Sequence, residues 1–228
     1  MRVIIFGATG MIGQGILKEC LADSRVQQIL VVGRSTCGVT NDRLSEVLMP
    51  DLFDIEAEAA QLDGYDACFF CLGVSASLMD EARFRRLTQE LTVHVATLLS
   101  RLNPDLVFTY ISGQGTDASS KRMWARVKGE TEQALLELPL RDAYMFRIGY
   151  VQPLDGIKSK TRGTRIMYAL LGPLRPVLRL VFRQTLTTTR DVGRAMLAVV
   201  DAGYATRFLS NEDINALARP ALVASNNK

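Results

Sequence analysis

The sequence predicts an α/β fold in which a doubly wound parallel sheet is joined by a small C-terminal covering region. Short apolar segments alternate with helical segments along the chain, which is the rhythm of repeated β-α-β units. The apolar segments lack a polar side, as expected for parallel strands that are buried on both faces. A glycine-rich turn at residues 7–13 joins the first strand directly to the first helix. Because such crossovers are right-handed, helices are expected on both faces of one sheet.

Turn-forming residues and changes of apolar spacing bound the predicted elements. We predict strands at residues 2–6, 28–33, 44–49, 66–71, 105–111 and 143–148. We predict helices at residues 11–22, 55–62, 80–101, 121–138, 190–202 and 211–218. One domain is expected over residues 1–228, with residues 150–185 as a lid. Ligands of such sheets bind beyond the carboxyl ends of the strands, so the residues at these ends are the candidate binding residues.

The composition indicates a globular protein, because 48% of its 228 residues are hydrophobic. The net charge is only +3, but residues 141–194 carry eleven Lys and Arg against three Asp. This basic zone is either a solvated face or a surface for an anionic substrate, a cofactor phosphate or an acidic partner. Aromatic residues are not interleaved with these charges, so a nucleic-acid partner is not expected.

No secretory signal or membrane span is expected from the sequence. The first strand begins without a basic leader or a small-residue cleavage site before it. The longest apolar stretch, residues 166–182, contains Arg175, Arg179 and two prolines, which would be costly inside a bilayer. We therefore expect a cytoplasmic protein.

The cysteines and the single histidine predict structural roles rather than a metal site. Cys68 and Cys71 form a C-x-x-C motif, but residues three apart on a strand point to opposite faces and cannot bind one ion together. We expect buried, reduced cysteines. His94 lies inside a predicted helix, far from any strand end, and is expected to be partly buried.

The glycine turn after the first strand predicts a seat for the diphosphate of a dinucleotide. Gly7 permits the tight turn, Gly10 removes a Cβ where the diphosphate would pass, and Gly13 lets the helix pack against the strand. The helix that follows directs unpaired N–H groups and its positive dipole end at the same anion. The competing interpretation is a glycine-rich turn that holds no nucleotide. The expected cofactor contacts here are Gly7, Thr9, Gly10, Met11, Ile12 and Gly13.

The second strand ends in Gly33 and Arg34, which favours NADP(H) over NAD(H). An NAD site commonly has an acidic residue here to hold the ribose hydroxyls. The Arg34 guanidinium instead offers forked donors and a fixed charge to a 2′-phosphate. The alternative is an ordinary surface arginine.

The third and fourth strands end in further candidate cofactor contacts. Asp51 and Leu52 are expected beside the adenine, although Asp51 is equally suited to cap the next helix. After the fourth strand come Cys71, Leu72 and Gly73, where Gly73 allows close backbone approach to the cofactor or simply forms a turn.

The fifth strand ends in Ser112, and the next helix carries Trp124 and Lys128 on one face, four residues apart. A hydroxyl at the strand end and a nearby lysine can surround a substrate carbonyl. The alternatives are a turn or capping serine and a solvated lysine.

These segments together resemble the short-chain dehydrogenase/reductase superfamily, and most of all its atypical, NAD(P)-binding branch of Tat-interacting-protein-like and epimerase/dehydratase-like proteins. The resemblance covers residues 1–150 well and residues 185–218 loosely. The segments that carry it are Gly7-Ala8-Thr9-Gly10-Met11-Ile12-Gly13, Val32-Gly33-Arg34, Cys71-Leu72-Gly73, Ile111-Ser112-Gly113, Val127-Lys128-Gly129-Glu130, Phe146-Arg147-Ile148-Gly149 and Thr189-Arg190-Asp191-Val192.

The resemblance implies a Rossmann fold and a catalytic Ser, Tyr and Lys. Ser112 and Lys128 take the serine and lysine places, and Lys128 would also bind the nicotinamide ribose. The tyrosine place falls on Trp124, whose indole N–H cannot act as a general acid near neutral pH. Either another group, such as Tyr150, supplies the proton, or carbonyl reduction is lost. Gly149 lies in a turn that resembles the family's turn beside the nicotinamide.

Two functions therefore stay open at the level of sequence. The first is an NADP(H)-dependent oxidoreductase, or an epimerase/dehydratase-like enzyme, that acts on a small carbonyl or alcohol substrate. The second is a non-catalytic NADP(H)-sensing regulatory or partner-binding protein. The resemblance also implies a possible homodimer. Residues 155–185 would cover the substrate, and their second half is expected to form a helix with a basic edge, with a membrane-surface or partner-docking helix as the rival.

Overall fold

A seven-stranded, fully parallel sheet forms the centre of the computed structural model, which describes residues 1–77, 79–157 and 186–219. The strands lie in the order β3-β2-β1-β4-β5-β6-β9. A separate parallel pair, β7 and β8, lies outside this sheet. The strands are β1 (Arg2–Phe6), β2 (Gln28–Gly33), β3 (Leu44–Leu48), β4 (Ala67–Phe70), β5 (Val107–Gly113), β6 (Asp142–Ile148), β7 (Tyr150–Gln152), β8 (Leu186–Thr188) and β9 (Phe208–Leu209).

Six α-helices are present among the described residues, together with a 3₁₀ helix and one π-helical turn. The 3₁₀ helix spans Leu52–Gln61, so the prediction of an α-helix at residues 55–62 is wrong in type. The predicted helix at residues 80–101 is confirmed, but the π-helical turn Arg86–Glu90 interrupts it. The α-helices are α1 (Met11–Ala22), α2 (Glu81–Arg85), α3 (Leu91–Leu102), α4 (Met123–Leu136), α5 (Thr189–Ala202) and α6 (Asn211–Leu217).

The sheet is buried on both faces, which confirms the predicted doubly wound arrangement. In β1, Val3 and Ile5 face one hydrophobic cluster, while Ile4 and Phe6 face the other. This division follows from the alternation of side chains along a strand. The first cluster includes residues of α1 and α5, and the second includes residues of the 3₁₀ helix, α3 and α4.

The strand order creates a topological switch point between β1 and β4. The chain runs outward from β1 to β3 and then returns to pair β4 with the other side of β1. Loops at the carboxyl ends of β1 and β4 therefore diverge, and the crevice between them is where open parallel sheets bind ligands. The glycine turn lies at this crevice.

Helix α5 packs tightly on α1 and brings the C-terminal part of the chain beside the glycine turn. A Cβ at Gly15 of α1 would lie 2.6 Å from the Cβ of Thr189. The Lys18 Nζ on α1 also donates a hydrogen bond of 2.9 Å to the Asp155 backbone carbonyl, just beyond β7. The start of the predicted lid is thus held against the first helix.

The remaining predictions concern the cysteines, the single histidine, the lid and membrane-spanning segments. Cys20 and Cys68 are buried as predicted, whereas Cys37 and Cys71 are only half-buried because each lies in a loop beyond a strand. His94 is half-buried, as predicted, and its Nε2 lies 3.0 Å from the Phe53 carbonyl oxygen. The helix predicted in the second half of residues 155–185 lies outside the described part of the chain. No helix among the described residues is both long and apolar enough to cross a membrane.

Candidate functional site

The glycine turn after β1 has a geometry that other residues would not tolerate. Gly7 has a φ of +79°, and a Cβ there would lie 2.9 Å from the Cys71 carbonyl carbon and the Leu72 nitrogen. A Cβ at Gly13 would lie 2.2 Å from the Gly7 carbonyl oxygen. Backbone atoms cannot move aside as a flexible side chain can, so the first turn of α1 approaches β1 only because both residues are glycine.

The amino end of α1 is open to an anion. Gly10 is the N-cap, no side chain caps the helix, and its first turn contains no acidic residue. The first N–H groups of a helix have no intrahelical acceptor, so those at Met11 and Ile12 are available to a ligand. The Gln14 side chain holds the turn by donating a hydrogen bond of 3.0 Å to the Thr9 carbonyl. This arrangement fits the diphosphate predicted from the sequence.

The loop after β2 presents Arg34 to solvent. Within the described residues, Arg34 has no hydrogen bond or ion pair. The loop is held by Glu46 of β3, which accepts hydrogen bonds of 2.7 Å from the Thr36 hydroxyl and from the Cys37 backbone N–H. Sequence reasoning missed Glu46, because nothing in the local pattern links a strand residue to the preceding loop. A Cβ at Gly33 would have room, with its nearest atom 3.7 Å away.

The loops after β3 and β4 give mixed support to the predicted cofactor contacts. The Asp51 carboxylate accepts a hydrogen bond of 3.0 Å from Phe53 N–H and caps the 3₁₀ helix, which agrees with the alternative considered for it. Leu52 is buried in the core. A Cβ at Gly73 would meet no heavy atom within 4 Å, so there is open space beside this residue. Cys71 N–H donates to the Phe6 carbonyl at 2.9 Å.

Ser112 lies near the carboxyl end of β5 and is paired with a second buried hydroxyl. Its Oγ is 3.1 Å from Thr116 Oγ1, and both side chains are buried. Sequence reasoning missed Thr116, which follows Ser112 by four residues in a loop. Thr116 is therefore a hydrogen-bond partner of Ser112 at the strand end.

Lys128 reaches back from α4 to the same strand. Its Nζ donates a hydrogen bond of 3.0 Å to the Ile111 carbonyl and lies 5.2 Å from the ring centroid of Tyr110. Burial lowers the pKa of Lys128 to about 8, although the nearby Glu132 carboxylate acts in the opposite direction. The structure therefore brings Lys128 and Ser112 to neighbouring positions at one strand end.

Trp124 covers the turn that follows Ser112. A Cβ at Gly113 would lie 3.5 Å from the indole Cζ3, and one at Gly115 would lie 3.9 Å from Cη2. The indole is half-buried and shares the Lys128 side of α4, since the two residues are one helical turn apart. The indole thus lies at ordinary van der Waals distance from both positions of this turn.

The turn after β6 is fixed by Asn211, the first residue of α6. Gly149 N–H donates to Asn211 Oδ1 at 3.1 Å, and Asn211 Nδ2 donates to the Tyr150 carbonyl at 3.3 Å. A Cβ at Gly149 would lie 2.4 Å from Gln114 Oε1, so the Gln114 side chain reaches from the β5 loop to the turn after β6. A cleft of about 410 Å³ borders these loops and is lined by Gln114, Gly115, Arg147, Phe208, Ser210, Asn211 and Glu212.

Comparison with known proteins gives both sequence relatives and solved structures with a similar fold. The chain is 28% identical to Protein HTATIP2 of Rattus norvegicus over 149 residues, which are 64% of this chain and 61% of that protein. It is 23% identical to Protein FMP52-1, mitochondrial, of Scheffersomyces stipitis over 154 residues, 65% of this chain and 66% of that protein. The chain thus spans less than two thirds of the length of these curated relatives. No family model matches the sequence.

Two solved structures illustrate the shared fold. The Bordetella bronchiseptica enzyme WbmF in complex with NAD⁺ aligns with a TM-score of 0.65 and 16% identity, covering 94% of this chain and 76% of that chain. Yeast methylglyoxal/isovaleraldehyde reductase Gre2 complexed with NADPH aligns with a TM-score of 0.66 and 14% identity, covering 92% of this chain and 77% of that chain. These alignments confirm the predicted Rossmann fold. Together with the sequence relatives they confirm the resemblance to the atypical short-chain dehydrogenase/reductase branch.

Proposed function

We propose that this protein binds NADP(H) at the glycine turn and acts as an oxidoreductase on a small carbonyl or alcohol substrate. The observation that carries the proposal is the uncapped amino end of α1 at the β1–β4 switch point. Dinucleotide diphosphates bind to such helix ends. Gre2 and WbmF, which share the fold, are complexed with NADPH and NAD⁺ respectively.

The preference for NADP(H) rests on Arg34. Its guanidinium is exposed at the end of β2, and no acidic partner engages it within the described chain. A 2′-phosphate offers a guanidinium a charge-assisted, forked contact that a ribose hydroxyl cannot match. The remaining proposed cofactor contacts are Gly7, Thr9, Gly10, Met11, Ile12, Gly13, Gly33, Asp51, Leu52, Cys71, Leu72, Gly73, Lys128 and Gly149.

The chemistry is assigned to the end of β5 and to α4. A bound nicotinamide supplies the hydride acceptor or donor. Ser112 is suited to hydrogen-bond the substrate oxygen, because the Thr116 hydroxyl holds it in place. Lys128 is suited to hold the nicotinamide ribose. The indole of Trp124 stands where the resemblance places a tyrosine, and its N–H can only donate a hydrogen bond.

A second function is favoured by Trp124 itself. A site that keeps the nucleotide seat but has lost its proton donor fits a protein that senses NADP(H) and passes the signal to a partner. The indole packs on the Gly113–Gly115 turn, in the place next to Ser112. General acid catalysis contributes about 10²–10⁴-fold to such reactions, so its loss would leave little reduction.

Binding and turnover measurements separate these proposals. Fluorescence titration should give an NADPH Kd well below about 1 mM. A weaker Kd contradicts both functions. NADPH oxidation across a panel of small carbonyl compounds, abolished in Ser112→Ala with unchanged NADPH affinity, supports the enzyme. The matched control is Ser45→Ala, an exposed serine on β3.

The organisation of the chain belongs to the same proposal. We infer one domain over residues 1–228, with residues 150–185 covering the substrate. The β7–β8 pair supports this view, because it joins the two ends of that segment beside the site.

A cytoplasmic location and a homodimer complete the proposal. Localisation of a tagged protein tests the first, since the FMP52-1 relative is mitochondrial by name, and sedimentation tests the second.

A further inference from the structure

The loop after β2 is tied to the edge strand of the sheet by one carboxylate. Glu46 on β3 stands opposite Val31 in the parallel register, and β3 is the outermost strand. Its Oε2 accepts from the Thr36 hydroxyl and its Oε1 accepts from the Cys37 N–H, both at 2.7 Å. Both carboxylate oxygens therefore bind the same loop.

The Thr36 hydroxyl extends this connection by one more residue. Its Oγ1 accepts a hydrogen bond of 3.1 Å from Gly38 N–H, and Gly38 has a φ of +72°. One side chain on β3 thus fixes three consecutive residues of the loop, Thr36 to Gly38. A loop of this length would otherwise have to be ordered by its ligand, at a cost in conformational entropy.

The hydrogen bonds keep Glu46 ionised in the folded protein. Burial by itself raises the pKa of the Glu46 carboxyl, but the bonds from Cys37 and Thr36 outweigh burial and hold the pKa below its usual range. The carboxylate is therefore charged at neutral pH, and its hydrogen bonds are of the stronger, charge-assisted kind.

The two residues before this anchor are exposed and have no part in its hydrogen bonds. Arg34 and Ser35 follow the end of β2 directly, and both side chains are open to solvent. Met49 N–H donates to the Gly33 carbonyl at 3.0 Å and holds the start of the loop. Arg34 and Ser35 thus lie between two fixed points, Gly33 and Thr36, beside the place where the resemblance puts the adenosine ribose.

We propose that Glu46 is a positioning residue for cofactor selection, which acts by holding the Arg34–Ser35 segment in the conformation that receives a 2′-phosphate. This inference rests on the proposed function, because it presupposes a nucleotide at the glycine turn. Glu46 does not contact the phosphate itself. Its two oxygens are occupied by loop donors, so its negative charge is neutralised in part before an anion arrives.

The decisive experiment measures the affinities of NADPH and NADH for Glu46→Ala, alone and combined with Arg34→Ala. Loss of a charge-assisted anchor should weaken NADPH by about 5–10-fold and leave NADH nearly unchanged. In the Arg34→Ala background the same change should have no further effect on NADPH, because Glu46 acts through Arg34. The fragments 2′,5′-ADP and 5′-AMP should reproduce the difference.

Two further variants test whether the loop hydrogen bonds, rather than any change on β3, determine cofactor selectivity. Thr36→Val removes the bridging hydroxyl at nearly constant shape and should give the same loss of selectivity as Glu46→Ala. Ser45→Ala changes the neighbouring exposed residue, whose side chain points to the other face of β3, and should change nothing. Melting temperatures of all variants show whether the fold is retained.

Several outcomes overturn the inference. Equal weakening of NADPH and NADH would assign Glu46 a general structural role. An independent, additive effect in the Arg34→Ala background would separate the two residues. Tighter NADPH binding by Glu46→Gln would show that the carboxylate simply repels the phosphate. If Arg34→Ala lowers the preference for NADPH over NADH but Glu46→Ala and Thr36→Val leave it unchanged, this inference alone fails. If neither binds, the proposed function fails with it.

Discussion

The turn between β1 and α1 and the region between β5 and α4 are built on different principles. The first is formed by backbone atoms. Gly7 and Gly13 leave space that a Cβ would fill, and the N–H groups at the start of α1 are backbone groups that no side chain caps. The second works through side chains, with the Ser112 hydroxyl, the Lys128 ammonium and the Trp124 indole gathered at one strand end. The first agrees with the resemblance at every position, whereas the second departs from it at Trp124.

The difference separates binding from chemistry. The glycine turn requires only that certain side chains be absent, so substitutions elsewhere leave it intact as long as Gly7 and Gly13 are kept. A catalytic group requires one particular atom, and a single substitution removes it without disturbing the seat. The backbone geometry of the glycine turn and the side chains at the end of β5 can therefore be tested separately.

The largest effect is expected from placing a side chain in the backbone seat. Gly13→Val forces atoms against the Gly7 carbonyl, 2.2 Å from the Cβ position. We expect a loss of about 2–4 kcal/mol in the free energy of unfolding, together with loss of cofactor binding. Urea denaturation and NADPH titration measure both. Gly73→Ala is the stability control, because its Cβ meets nothing within 4 Å; equal stability of the two variants would contradict the geometry.

The next effect concerns the chemical end. Trp124→Tyr places a phenol one helical turn from Lys128, on the same side of α4 as Ser112's strand end. If only the proton donor is missing, NADPH-dependent carbonyl reduction should rise by about 100-fold, as expected for a general acid. Trp124→Phe is the matched control without a hydroxyl. A gain of similar size in both variants would mean that the smaller ring merely makes room.

A smaller effect is expected at the adenosine end of the seat. Arg34→Ala should weaken NADPH by about 1–3 kcal/mol, the value of a charged hydrogen bond, and leave NADH nearly unchanged. Arg101→Ala is the control for net charge, since this exposed arginine pairs with Glu56 near the carboxyl end of α3. The same loss for both cofactors would refute the 2′-phosphate contact.

The smallest effect is the pH dependence that Lys128 confers on stability. Burial lowers its pKa to about 8 from an ordinary value of 10.5, so between these values the unfolded chain binds more protons than the folded protein. Stability should therefore rise with pH in this window, by about 1–2 kcal/mol. Lys128→Met should lack the rise, while Lys121→Met, at an exposed position, should retain it. Urea denaturation at pH 7 and pH 9.5 provides the comparison; parallel curves for Lys128→Met and the parent would contradict the assignment.

Local patterns were sufficient to predict the main sheet and the glycine turn. The β1–α1 unit can be predicted from consecutive residues. An apolar run, a glycine and a helical repeat each determine the local structure within a few positions. The two-residue β9 and the three-residue β7 and β8 were missed, since such short strands carry too little pattern. The 3₁₀ helix was assigned as α because its apolar spacing from Leu52 to Ile55 suits both helix types.

The sequence predicts a site residue only where its type and its position beside a strand or helix end are informative. Ser112 and Lys128 were identified from their places at a strand end and on the next helix, and the resemblance then gave them their roles. Thr116, Glu46 and Asn211 were missed, because each matters through a partner that the fold brings near: Asn211 binds Gly149 across 62 positions of the chain. Polar side chains in loops and at helix starts look alike in sequence. Only the tertiary arrangement shows whether such a residue caps its own helix or binds a distant loop.

The position of β1 in the sheet has a consequence for biosynthesis. Among the strands of this sheet β1 is made first, yet it lies in the middle, between β2 and β4, and the pairing of β6 with the edge strand β9 waits for Phe208 and Leu209. A nascent chain that stops before β4 has one flank of β1 without a neighbour and cannot yet hide its apolar faces. Parallel pairing across such separations is slow, so the chain must be made at least as far as β4 before β1 has a neighbour on each side.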